Sequence, residues 1–222
     1  TLPSAKNEVT VLENKDLKFT ISNRGGQLKE VLLKEFKTYD SLPVYLVKDW
    51  NATFSLDFTT AQDKKLNTKD LYFEPTLSEN NGSQVLSMKL KTSENTYLEY
   101  IYTLPKEGYM LNLVVRSQGL AGAVNTSKPM NIDWKLQARR MEKSVTYENR
   151  YTQAAIQYEG DRINRMSQAG NDEQKEEKVS WVAYKQHLFT SVLISDNPFE
   201  KGDFVSHNIA MNEGKEVKYT KN

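Results

Sequence analysis

Cysteine is absent from this chain of 222 residues, which excludes disulfides, thiolate metal sites and cysteine nucleophiles. Histidine is nearly absent: His187 and His207 are the two present. Two isolated imidazoles with no His-x-His or Glu-x-x-His spacing make a poor metal site, and no cofactor is expected. Long apolar runs are also missing. The longest are four residues, 44–47 and 181–184, whereas a membrane-crossing helix needs about 20. Nor does one sign of charge dominate, since 30 Lys+Arg oppose 29 Asp+Glu for a net charge of +1. Without a basic surplus to displace counterions from phosphates, nucleic acid is not expected as a partner. The opening Thr1-Leu2-Pro3-Ser4 has neither Met nor a charged-then-apolar leader, and reads as the start of a domain excised from something longer.

What is present is a period of two, the spacing of strands with one buried face. Leu17, Phe19 and Ile21 alternate with Lys18, Thr20 and Ser22. Phe54, Leu56 and Phe58 repeat the pattern, as do Leu86, Met88 and Leu90, then Ile132, Trp134 and Leu136. Val205, Ile209 and Met211 share one parity, with Ser206 and Asn208 on the other. This predicts an all-β fold, a twisted antiparallel β-sandwich with at most one or two short helices.

The clearest hairpin spans residues 96–117. It puts Leu98, Tyr100, Tyr102 and Leu104 on one face, and Leu111, Leu113 and Val115 inward on the return arm. Pro105-Lys106-Glu107-Gly108 supplies its turn, because Pro fixes φ and Gly accepts a positive φ. Asn23-Arg24-Gly25-Gly26 is a second turn, joining residues 17–22 to a strand over 27–34. Residues 180–195 are apolar on both parities and predict a central strand covered on both sides, bent near Gln186-His187. Residues 139–149, with Met141, Val145 and Glu148 at helical spacing, predict one short helix. The charge run over 171–178 reads as a solvated loop. Residues 1–222 read as a single domain with polar ends at about 1–7 and 213–222.

No residue stands out as catalytic, cofactor-binding or metal-ligating. His207 shares parity with Val205 and Ile209 and is expected to point inward, satisfied by a backbone carbonyl; His187 is expected to be structural or exposed. Gly25-Gly26 lacks a following phosphate-binding helix pattern, and no Gly-x-Ser-x-Gly elbow occurs. Tyr97, Tyr100, Tyr102 and Tyr109 cluster on the hairpin, either lining a groove or pairing across strands. The simpler expectation is cross-strand pairing, worth about 0.2–1 kcal/mol per pair.

Several stretches, in order, resemble the periplasmic domain between the first two membrane spans of YidC-type insertases. They are Leu17-Lys18-Phe19-Thr20-Ile21-Ser22-Asn23-Arg24-Gly25-Gly26, the hairpin through Tyr100-Ile101-Tyr102-Thr103-Leu104 and Gly108-Tyr109-Met110-Leu111, and Trp181-Val182-Ala183-Tyr184-Lys185-Gln186-His187-Leu188-Phe189. The Lys- and Asn-rich composition suits a Bacteroidetes-like source. The resemblance implies a supersandwich similar to galactose mutarotase-like folds, placed on the periplasmic face of the bacterial inner membrane by spans outside this chain. It also implies a non-enzymatic scaffold or partner-binding role in a parent that inserts and folds membrane proteins, with Sec translocon components and nascent membrane proteins as partners. Against it stands a carbohydrate-active protein of the mutarotase class, with His187 or His207 as acid/base, or a sugar- or peptide-binding module. Fold likeness alone does not decide between them.

Overall fold

A computed structural model of the chain describes residues 6–209 and, for the backbone, 219–221. The described residues gather into two compact units. One takes residues up to Phe36 together with Pro43–Lys135, and the other takes Lys37–Leu42 with residues from Leu136 onward.

In the first unit, strands β1 (Val9–Glu13), β2 (Leu17–Ser22), β3 (Leu28–Lys37) and β4 (Pro43–Val47) form a sheet in chain order. Strands β5 (Ala52–Thr59) and β6 (Lys65–Asn67) pair antiparallel, and a short 3-10 turn, Thr68–Asp70, follows. Strands β7 (Glu74–Asn80), β8 (Ser83–Ser93), β9 (Thr96–Leu104) and β10 (Asn112–Gln118) form an antiparallel meander ordered β10-β9-β8-β7. Strand β11 (Asn131–Leu136) joins β5 on the side away from β6.

The alternation of the sequence becomes the core of this unit. Leu17, Phe19 and Ile21 of β2, Leu86 and Met88 of β8, and Leu98, Tyr100, Tyr102 and Leu104 of β9 are all buried. Three of the clustered tyrosines are therefore core residues, while Tyr109 is exposed. Tyr100 lies against Phe73 with ring centroids 4.8 Å apart and donates to Thr68 Oγ1 at 3.1 Å. Tyr102 donates to the Gly26 carbonyl at 2.7 Å, which ties β9 to the glycine turn between β2 and β3. That turn needs its glycine. Gly26 has φ +60°, and a Cβ there would sit 3.1 Å from Tyr100 and 3.2 Å from Phe73. Antiparallel sheets packed on this core give the expected all-β sandwich.

The β9–β10 loop is pinned by Asn14. Its Nδ2 donates to the carbonyls of Pro105 and Gly108, each at 3.0 Å. Its Oδ1 accepts the backbone N–H groups of Asp16 at 2.9 Å and Leu17 at 2.7 Å. The return arm β10 is an edge strand, so Leu113 is half-buried and Val115 exposed rather than inward.

In the second unit, strand β12 (Ala138–Arg139) pairs with β17 (Tyr219–Lys221), and helix α1 (Val145–Tyr151) follows β12. Strands β13 (Gln153–Tyr158), β14 (Arg162–Arg165), β15 (Asp172–Lys185) and β16 (Thr190–Ser206) form an antiparallel sheet ordered β14-β13-β15-β16. The one α-helix of the described residues starts later than expected because Ser144 caps it, its hydroxyl accepting the Tyr147 N–H at 3.2 Å.

Residues 172–178, expected as a loop, are the first half of β15, paired in register with β16 from Glu177↔Lys201 to Asp172↔Ser206. Ladder hydrogen bonds hold this solvated ribbon, and an apolar pattern does not register such a strand. Residues 180–195 are a hairpin rather than one bent strand: β15 is central, and the Thr190 half is the edge strand β16. At the end of β16 the expected parity is inverted, with Val205 exposed and Ser206 buried. His207 shares the parity of Val205, so the same inversion leaves it exposed rather than inward. Met211 lies outside the described residues.

Candidate functional site

Where the sheet of β5 and β6 faces that of β8 and β9, the first unit opens into a cleft of about 400 Å³. Two directly opposed apolar pairs make its walls, Phe58 with Leu66 and Leu90 with Leu98. A strap over residues 119–130 closes one side with Leu120, Val124 and Met130. The volume falls in the range of ordinary ligand pockets, about 300–1,000 Å³.

The strap is held by backbone geometry. Gly119 begins it at φ +65°, where a Cβ would come within 2.8 Å of the Asn95 carbonyl. A 3-10 turn at Leu120–Gly122 follows. The strap then docks on the end of β5: Ala61 N–H donates to Ala123 O at 2.9 Å and Asn125 N–H to Thr59 O at 2.8 Å. On the outside Lys128 meets Asp63 at 2.8 Å, and its hydrogen bond and charge hold the Asp63 carboxyl below its usual range.

The titratable group on the cleft lining is Lys91. Its ammonium is turned to Glu74 at 2.8 Å and Glu94 at 3.5 Å, and the hydrogen bond to Glu74 raises its pKa, so it stays protonated. The lining pairs no acid with a base. What it offers is desolvation of apolar groups, worth about 25 cal/mol per Å² removed from water.

The two histidines of the carbohydrate reading have separate surroundings. His207 is exposed after β16. His187 occupies the β15–β16 turn in the second unit, its Nδ1 bonded to the Glu142 carboxylate. Its ring lies against Tyr151, with centroids 4.7 Å apart, and meets Tyr147 edge-on at 5.2 Å. Beneath it Glu148, 1% exposed, accepts the Met141 N–H at 3.0 Å, the Glu142 N–H at 3.2 Å and Gln186 Nε2 at 3.3 Å. Burial pushes the Glu148 pKa up against those hydrogen bonds. Gln186 Nε2 also donates to Arg139 O at 2.6 Å. This cluster ties the helix to the hairpin turn.

Sequence reading placed Phe58 and Leu90 in the core by parity, and both are half-buried because they line the cleft. The strap was not anticipated. Its available signal was Gly119-Leu120-Ala121-Gly122-Ala123-Val124, a run of small and apolar residues between two strands.

Residues 9–222 match the family model described as the YidC periplasmic domain. The membrane protein insertase YidC of Porphyromonas gingivalis is 35% identical over 196 residues, covering 87% of this chain and 31% of that protein. The YidC of Bacteroides fragilis is 32% identical over 198 residues, 88% of this chain and 31% of its own length. That of Phocaeicola vulgatus is 31% identical over 206 residues, 90% and 32% respectively. The chain thus spans about a third of the length of these curated relatives, and they lend the carbohydrate reading no support. With nearly its whole length matched, the chain belongs to the YidC periplasmic domain family.

Proposed function

We propose that this chain is the periplasmic module of an inner-membrane insertase that helps insert and fold membrane proteins, and that it binds its partners without transforming them. Relatives named membrane protein insertase support the parent's role. Attachment is through spans outside this chain; no helix of the described residues is long and apolar enough to cross a bilayer. The module works beside Sec translocon components and meets nascent membrane proteins. Residues 1–222 act as one domain, for which a single cooperative unfolding transition is the test.

The observation that carries the binding role is the cleft: apolar walls, a tethered strap, and one rim cation already neutralised by Glu74 and Glu94. Such a lining suits the apolar side chains of an extended segment that has not yet found its place in a membrane. Titrating a fluorescent decapeptide of alternating Leu and Ser tests this. Leu66→Asp or Met130→Asp, both at exposed rim positions, is expected to weaken binding at least about tenfold, roughly 1.4 kcal/mol. Unchanged affinity in both variants, or no binding by the parent chain, defeats the reading.

A further inference from the structure

Residues 180–195 carry the apolar pattern of a strand covered on both faces, yet the structure covers one. Ile156 and Val182 are buried on the inner face of the second unit's sheet. On the outer face, register lines the side chains into rows across the strands. Ile163, Gln157, Trp181 and Ile194 form one row. Arg165, Ala155, Ala183 and Val192 form the next, followed by Gln153, Lys185 and Thr190. Ile163 is 43% exposed, Val192 46% and Ile194 54%. Ala155 and Ala183, both buried, floor a shallow trough between the outer rows.

An apolar sheet face is ordinarily covered by a second layer. The outer rows are four residues apart along the strands, about 13 Å, and a helix with its side chains is about 10–12 Å wide. Charge narrows the choice of occupant. Arg165 stands at the β14 end of the middle row and Lys185 on β15 in the row beside it, and none of the residues in the three rows is acidic. The next acid along β16, Asp196, falls in the unpaired segment 195–198, beyond the rows. A second copy of the chain would set the same two cations against them. A lipid surface is a poorer fit, because the sole aromatic, Trp181, is half-buried in mid-sheet and the exposed groups are β-branched and close to the backbone.

We propose that this face docks an amphipathic helix with acidic flanks supplied by a partner protein. The face lies in the second unit, and the assignment stands independently of the cleft. Isotope-labelled chain of all 222 residues is titrated with a Leu-faced helical peptide flanked by Glu, and separately with the same peptide flanked by Lys. The Glu peptide is expected to shift the amides of Ala155, Trp181, Ala183 and Val192 and to bind at least about tenfold more tightly than the Lys peptide. Ile194→Asp, at an exposed edge position, should weaken the Glu peptide by a similar factor. The charge-swapped double variant Arg165→Glu with Lys185→Glu should reverse the preference between peptides, a result that a folding defect does not give. Equal affinity for both peptides overturns the proposal, as do shifts confined to the cleft of the first unit. So do the same amides responding to anionic phospholipid vesicles or to rising protein concentration instead.

Discussion

The hydroxyl of Tyr102 reaches 2.7 Å to the carbonyl of Gly26, joining residues 76 positions apart in sequence at the centre of the first unit. Both groups are buried, so removing the hydroxyl leaves the carbonyl without a replacement partner. Tyr102→Phe is expected to cost about 1–2 kcal/mol of unfolding free energy. Gly26→Ala should cost more, about 2–3 kcal/mol, because it adds left-handed strain to a collision with the Tyr100 and Phe73 rings. Urea titrations of the two variants check the order; a Gly26→Ala as stable as the parent would contradict the packing described.

Two buried carboxylates give the two units opposite responses to acid. Burial works to raise Glu99, but hydrogen bonds from Ser87 and Arg116 and the Arg116 charge prevail and hold it low. Its folded pKa lies below its unfolded value of about 4.3, so its stabilisation is present above that pH and lost as pH falls through the folded value. Glu148 is the reverse. Burial raises it above its unfolded value, so the native state gains stability as pH falls from neutral through the folded pKa. Glu99→Gln should flatten the loss of melting temperature at acid pH. Glu148→Gln should remove the gain on mild acidification. Melting curves between pH 7 and pH 3 decide it, and either variant keeping the parent's profile would count against its assignment.

Lys178 sits in β15 at φ +53°, beside the register shift around Val179. A side chain there pays the left-handed penalty, so Lys178→Gly should be neutral or stabilising by up to about 1 kcal/mol. Lys178→Val should destabilise by about 1–2 kcal/mol, although Val is the better strand former. Chemical denaturation compares them; a stabilising valine would mean that the positive φ is not present in solution.

The sequence disclosed the first unit well because apolar and polar side chains alternate along its strands. Leu17, Phe19 and Ile21, like Leu98, Tyr100, Tyr102 and Leu104, announce their faces by parity alone. Glycine and proline likewise placed the turns at Gly25-Gly26 and Pro105–Gly108. The second unit was less legible. Residues 172–178 carry alternate charges on both faces, and only their partners 201–206 make them a strand. His207 shares the parity of Val205, and at the end of β16 that parity faces outward. The cleft was hidden for a different reason: a half-buried Phe58 and a buried Leu56 obey the same alternation, and nothing local separates a wall from a core. Membership of the family, by contrast, was readable from short ordered blocks, since turn glycines and paired aromatics leave strong local marks.

Asn14 uses its amide to the full, with two donors and two acceptors all engaged. So complete a set of bonds leaves the loop dependent on the chemical identity of one side chain. Conversion to aspartate would replace the donating nitrogen with a negative oxygen facing the carbonyls of Pro105 and Gly108. The β9–β10 loop would then be pushed away by the residue that now holds it, with no change anywhere in its own sequence.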